Sequence, residues 1–169
     1  MNVEQAIRTR RTHKQFEREP LPRETIEELL ELARFAPNHR LTQPWRFRVL
    51  GPETLERLKA VGGPKEAPKL ERAPTLVCVS AQLTGDLLTD QEDMLATGVA
   101  IYVVLLAAHG RGLASYWRTP AVMRTPEGRE TVGLAADERF VGMIYLGRPR
   151  SEPPLKEREP LESCVEYLP

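Results

Sequence analysis

The sequence predicts an α+β fold with a central, mainly antiparallel sheet flanked by helices. Three observations carry this. Ile26, Leu29, Leu30 and Ala33 recur at the spacing of one helical face. Residues 75–80 are a continuous apolar and β-branched run, which reads as a buried strand. Helical and strand segments follow one another without the regular alternation that a parallel α/β sheet needs.

Taken in order, Asn2 caps a first helix, with Gln5 at the reciprocal position and Val3, Ala6 and Ile7 as its apolar stripe. The basic run Arg10-Arg11-Thr12-His13-Lys14 begins where this helix ends. Pro20 and Pro22 break the chain, Glu24 stands in the first turn of a second helix, and Pro37 stops it. Trp45, Phe47 and Val49 alternate with Arg46 and Arg48, a strand with one buried face. Pro52 opens a short helix carrying Leu55 and Leu58. Residues 62–73, rich in Pro, Gly and Lys, read as a loop before the strand over 75–80.

Asp90 is the expected cap of the longest helix, which runs to about His109. Its residues 94–108 are apolar nearly all round, with Gly98 in the middle. A membrane span needs about 20 such residues, so the stretch predicts a helix buried in the core or in a subunit interface. Gly110 and Gly112 end it. Residues 113–117 read as a strand, Thr119-Pro120 opens a loop and a short helix, and residues 140–146 form the last core strand. Beyond Gly147 come Pro149, Pro153, Pro154, Pro160 and Pro169, so residues 148–169 are expected to form an extended C-terminal arm. Leu161, Val165, Tyr167 and Leu168 suit an arm that wraps a neighbour.

At 169 residues the chain is expected to be a single domain, 1–169, large enough for a real core. Apolar residues at 41% and charged residues at 28% are ordinary for a globular protein. Lys+Arg and Asp+Glu balance at 24 each, so no bulk field draws the chain to nucleic acid or an anionic membrane. Any anion site must be local. The first residues lack the pattern of a signal peptide, and Cys78 and Cys164 form no CxxC, so reduced thiols in a cytoplasmic protein are expected.

The basic run supplies two guanidiniums, an ammonium and a hydroxyl within five residues. It reads as favourable cations at a helix C-terminus or a solvated face, as a cradle for a dianionic phosphate, or as a nucleic-acid contact. Thr12 favours phosphate, because charge-assisted hydrogen bonds are roughly twice as strong as neutral ones. A second stretch, Ala36-Pro37-Asn38-His39-Arg40-Leu41-Thr42-Gln43-Pro44-Trp45, is a loop of hydrogen-bonding groups leading into an aromatic strand. Together the two suggest a phosphate-bearing aromatic cofactor, with a flavin as the leading candidate. Trp117-Arg118-Thr119 reads either as an edge tryptophan with a solvated arginine or as an aromatic face and a donor at the rim of a cofactor ring. His39 alone reads as an ordinary surface histidine, and His13, His39 and His109 show no metal-ligand spacing, so no metal site is expected. There is no G-x-S-x-G, no G-x-G-x-x-G and no Walker loop, which gives a serine hydrolase or a tightly bound dinucleotide no support.

These three segments, in this order, resemble the nitroreductase family of FMN-dependent NAD(P)H oxidoreductases. "AIRTRRTHKQFEREPLPRETIEELLELARFAPNHRLTQPWRFRVL" looks like the family's opening, in which R-R-[ST] is followed by an A-P loop ending in Q-P-W, and "GLASYWRTPAV" and "FVGMIYLGRP" resemble its later strands. The A-P-[ND]-H loop with W-R-[ST] is closer to the family's small bacterial branch. The resemblance implies an intertwined homodimer with two FMN sites at the subunit interface. It implies that Arg10, Arg11 and Thr12 hold the phosphate with Lys14 as a further contact, that Phe35 and His39 lie near the flavin, and that Trp117, Arg118 and Thr119 meet its ring or ribityl chain. The apolar helix would form the dimer core and the arm would embrace the partner. Two departures stand out. Leu41 occupies a position where larger members carry Asn, and the short segment over 62–73 implies a more open pocket with less strict substrate choice.

The resemblance further implies a ping-pong oxidoreductase. Hydride would pass from NADH or NADPH through the flavin N5 to a small oxidised acceptor such as a nitro compound or quinone, with no protein nucleophile or general base. Arg118 would be the cation that stabilises the reduced ring. The alternatives are a flavin-binding module without turnover, a family member reducing enones or halogenated compounds, and a nucleic-acid-binding domain built on the basic run.

Overall fold

A computed structural model describes residues 1–169. Four strands, β1 (Trp45–Val49), β2 (Thr75–Gln82), β3 (Ala114–Arg118) and β4 (Glu138–Gly147), form one sheet in the order β1-β2-β4-β3. Every neighbouring pair is antiparallel. The central strand β2 is buried along nearly its whole length because helices cover both faces of the sheet.

On one face, Val77 and Val79 of β2 and Ile144 and Leu146 of β4 meet Leu29 and Ala33 of α2 (Arg23–Ala33). Ala100, Ile101 and Val104 of α4 (Leu87–Gly110) complete this core. On the other face the alternate residues Leu76, Cys78, Met143 and Tyr145 pack on Leu58 and Leu70 of α3 (Pro52–Leu70). The period of two thus assigns successive residues of one strand to two different cores. The short helices α1 (Val3–Thr9) and α5 (Pro126–Thr131) lie at the periphery. Asn2 and Gln5 close the capping box of α1 reciprocally, as expected.

Three expectations need correction. Residues 62–73 are mostly helical, because α3 continues to Leu70 through a break at Gly63, where φ is 66°. Only glycine takes that conformation cheaply. Pro64 then opens the second half, where a missing N–H is harmless, and Pro68 costs one further bond. The cap of α4 is Asp86, whose side chain accepts from Thr89 N at 2.8 Å, and not Asp90. Asp90 instead turns back to accept from Thr84 N and Gly85 N, fastening the loop ahead of the helix. The long apolar helix α4 buries eight of its residues, as its sequence predicts, although by length and composition alone it could cross a membrane. The face of β1 is not evenly buried: Trp45 is covered, whereas Val49 is 49% exposed near the end of an edge strand.

On the opposite face of β1, Arg48 reaches across β2 to Glu138. Its Nη1 and Nη2 donate to the two carboxylate oxygens at 2.8 and 2.6 Å, and Ser80 Oγ joins them. This bidentate pair holds the carboxyl of Glu138 below its usual range against the opposing effect of burial.

Candidate functional site

The basic run leaves α1 at Arg10, whose N–H still donates to Ala6 O, and then crosses the free edge of β3. There His13 N donates to Ser115 O at 3.1 Å. In an antiparallel pair alternate residues bond to the partner strand and those between face outward. Since Ser115 faces outward, so does Trp117, and its N–H and C=O look onto the open edge of the sheet.

A short backbone ladder next fastens the chain after the basic run to the root of the C-terminal arm. Glu17 N donates to Arg148 O, Arg150 N donates to Gln15 O, and Phe16 bridges to Pro149. Arg11 extends this clasp: its Nη1 donates to Pro153 O at 2.6 Å and stands 3.6 Å from Glu152. The arm is thereby laid beside the basic run, and a cavity of about 870 Å³ opens between them. Arg10, Arg11, Thr12 and Lys14 line it from one side and Lys156 and Arg158 from the arm. Tyr102 of α4 and Tyr116 of β3 supply aromatic surface, and no Asp or Glu is among its lining residues. Arg10 lies over the Tyr102 ring, 5.9 Å from its centroid.

Lys156, Arg158, Tyr102 and Tyr116 went unread in the sequence. The lysine and arginine sit in a proline-rich arm legible only as an extended strap, and Tyr102 is hidden in an apolar run. The nearest available signal was Lys156-Glu157-Arg158, two cations at strand spacing in an otherwise mixed tail.

Phe35 and His39 do not join this cavity. Phe35 is 79% exposed just past the end of α2. His39 Nδ1 is 2.8 Å from Glu92 Oε2 at the start of α4, and Thr42 Oγ1 donates to the buried Asp93 Oδ1 at 2.6 Å. Glu92 and Tyr102 are ten residues apart on one helix, a rise of about 15 Å. The loop is nevertheless firmly shaped. Asn38 Oδ1 accepts from Gln43 N, and Arg40, Leu41 and Gln43 all hold positive φ, between 47° and 53°.

Residues 117–119 divide between the two faces of the sheet. The Trp117 indole lies on the α4 side, between Gly98 and Gly142. Arg118 points the other way: its Nη2 donates to Glu66 Oε2 at 3.1 Å and its Nη1 to Tyr145 Oη at 3.3 Å. A cation expected beside a cofactor ring therefore has its guanidinium already paired on the far side. Thr119 is exposed. Burial alone would raise the carboxyl of Glu66, but the hydrogen bond from Lys69, the charge of Arg118 and the Ala121 N–H together hold it below its usual range. Cys78, deep in the sheet, is pushed up to about 12 by burial, which leaves it an inert thiol.

His13 follows Arg10, Arg11 and Thr12 directly and is 3% exposed, with neither ring nitrogen hydrogen-bonded. Burial pushes its pKa down, with smaller help from the charges of Arg11 and Arg10, while Glu152, 3.9 Å from Nε2, and the Arg11 backbone oppose the shift. No group of His, Cys, Asp and Glu residues is arranged to hold a metal ion.

The model of the nitroreductase family matches residues 7–148. The protein named "Putative NAD(P)H nitroreductase YfhC" of Bacillus subtilis is 32% identical over 171 residues, covering 92% of this chain and 88% of that protein. A nitroreductase-like family protein from Bacillus cereus superposes with a TM-score of 0.89 at 24% identity, covering 99% of this chain and 96% of the other. A protein from Desulfovibrio desulfuricans described as a "putative nitroreductase in complex with FMN" gives a TM-score of 0.84 at 25% identity over 99% of this chain and 96% of that one.

Proposed function

The chain belongs to the nitroreductase family, and we propose that it is an FMN-dependent oxidoreductase drawing on NADH or NADPH. The observation that carries this reading is the cavity between the basic run and the arm: cation-lined, free of carboxylates and floored by tyrosines. Its volume falls within the range of roughly 300–1,000 Å³ common to small-molecule sites. The relative from Desulfovibrio desulfuricans binds FMN in the same fold, which supports the same cofactor here.

In this reading Arg10, Arg11, Thr12 and Lys14 hold the cofactor's dianionic phosphate, and Lys156 and Arg158 add charge from the arm. Tyr116 and the outward N–H and C=O of Trp117 offer an aromatic surface and hydrogen-bonding groups along the edge of β3. FMN held there would supply hydride-transfer chemistry between a reduced nicotinamide and a small oxidised acceptor such as a nitro compound or quinone. The chain's own residues bind and orient, and none is arranged as a nucleophile with an activating base.

Phe35 and His39 enter this reading from a second copy of the chain. Their loop lies far from the cavity of its own protomer, and α4 exposes Leu87, Leu88, Leu95 and Val99. The arm exposes Leu161, Val165, Tyr167 and Leu168. A homodimer packed through α4 and embraced by residues 148–169 covers these groups and closes each cavity with the partner's loop.

The test is the absorbance spectrum of the purified protein before and after anaerobic addition of NADPH, repeated with NADH. Oxidised-flavin bands that bleach support a reductase. A flavin that stays oxidised with both donors favours a binding module without turnover, and a colourless protein that fails to take up FMN refutes the reading. Size-exclusion chromatography with light scattering tests the dimer.

A further inference from the structure

Glu66 is a buried carboxylate, 7% exposed, on a helix segment that exists only because α3 turns at Gly63. Its Oε2 accepts from Arg118 Nη2 at 3.1 Å and from Ala121 N at 3.2 Å, one donor on each side of the bend that follows β3. Its Oε1 takes Lys69 Nζ at 2.6 Å. Arg118 is further tied by Nη1 to the hydroxyl of Tyr145, a fully buried residue of the inner strand β4. One carboxylate therefore clasps the end of a strand and the start of the next turn to the middle of the sheet.

The approach is tight. A β carbon on Gly62 would stand 3.0 Å from Glu66 Cβ, so the chain passes this close to Glu66 only because residue 62 has no side chain. Trp117 directly precedes the clasped arginine and turns its N–H and C=O toward the open edge. Its indole is seated on the opposite face, between Gly98 and Gly142. The strand end is thus pinned on both faces, by the indole slot and by Glu66.

We infer that Glu66 is the positioning residue for residues 117–119, fixing from behind the strand edge along which the flavin lies. The inference rests on the FMN reading for its catalytic consequence, though not for its effect on Trp117. Removing the negative charge leaves the largely covered Arg118 cation unpaired and weakens the acceptor for Ala121 N, so the bend relaxes and carries Trp117 with it. The phosphate-binding residues 10–14 belong to another segment and keep their place.

The experiment uses Glu66→Gln, with Glu66→Asp as the charge-conserving variant, in a Trp45→Phe background that leaves Trp117 as the sole tryptophan. In flavin-free protein, Glu66→Gln shifts Trp117 emission to the red and raises its acrylamide quenching, and Glu66→Asp does so less. In FMN-loaded protein, Glu66→Gln keeps its flavin content, while anaerobic reduction by NADPH slows roughly 10- to 100-fold, the scale of a small misplacement at a reacting centre. Unchanged Trp117 emission together with an unchanged reduction rate overturns the inference, even where thermal stability falls. Should Glu66→Gln not fold, the Glu66→Asp emission decides in the same way. A parent protein that takes up no FMN refutes the proposed function instead, and the flavin-free emission then decides the role of Glu66 by itself.

Discussion

The indole of Trp117 occupies the space that a side chain at Gly142 would need. A β carbon there would overlap Nε1 and Cδ1, whereas one at Gly98, on the other side of the ring, would meet Cη2 at an ordinary 3.6 Å. The two glycines that border one tryptophan therefore have different reasons to be there. Gly142 sits beside the irregularity between β2 and β4, where pairing slips after Val79, and it makes room for the ring.

Gly142→Ala should displace Trp117 and destabilise the chain by about 1–3 kcal/mol, the usual cost of overpacking. Gly98→Ala should leave stability unchanged or raise it by up to about 1 kcal/mol through helix propensity. Thermal unfolding with tryptophan emission separates the two: equal effects would contradict the slot.

Arg10→Ala and Thr12→Ala should each weaken retention of FMN. A hydrogen bond to a charged group is worth roughly 1.5–3 kcal/mol, or about 10- to 100-fold in affinity. Lys156→Gln and Arg158→Gln should act in the same direction, and the losses should shrink at high salt. Flavin content after dialysis and titration of the apoprotein measure this; unchanged content in all four variants would remove the phosphate assignment.

Arg48 and Glu138 are fastened bidentately across the sheet, with Glu138 only 6% exposed in its side chain and Arg48 27%. Arg48→Met should cost about 3 kcal/mol because it leaves a covered carboxylate unpaired. The double variant Arg48→Met with Glu138→Met should cost clearly less than Arg48→Met alone. Urea unfolding of the parent, both single variants and the double variant gives the coupling directly.

Stability should fall as pH drops below about 6.5. His13 is held below its ordinary 6.5 by burial, with His109 lowered for the same reason. As pH drops through 6.5 the unfolded chain binds protons that the folded chain refuses, so the stabilisation present above 6.5 is lost on acidification. The depressed carboxyls of Glu66 and Glu138 respond only below about 4.5. Melting temperatures of the parent and His13→Leu between these two pH values check the sign, with a flatter profile expected for the variant.

Much of this was legible in local pattern. The stripe of Ile26, Leu29 and Ala33 specified α2, the β-branched run specified β2, and Asn2 with Gln5 specified the start of α1, because each is a property of neighbouring residues. The basic run was legible as chemistry, since five adjacent residues carry it whatever the rest of the chain does. The second half of α3 was misread as a loop because Pro64 and Pro68 look like breakers until Gly63 has turned the chain and made Pro64 the start of a helix.

The sequence by itself therefore determined the family, the order and type of most elements, and the residues able to hold an anion. Tertiary structure alone decided which groups meet. Arg11 and Pro153 are 142 residues apart, Arg48 and Glu138 are 90 apart, and Glu66 and Arg118 are 52 apart. Periodicity and capping act over three or four residues and so are written in the local sequence. Pairings over such separations depend on which faces the sheet buries and where the arm is clasped, and no local pattern encodes that.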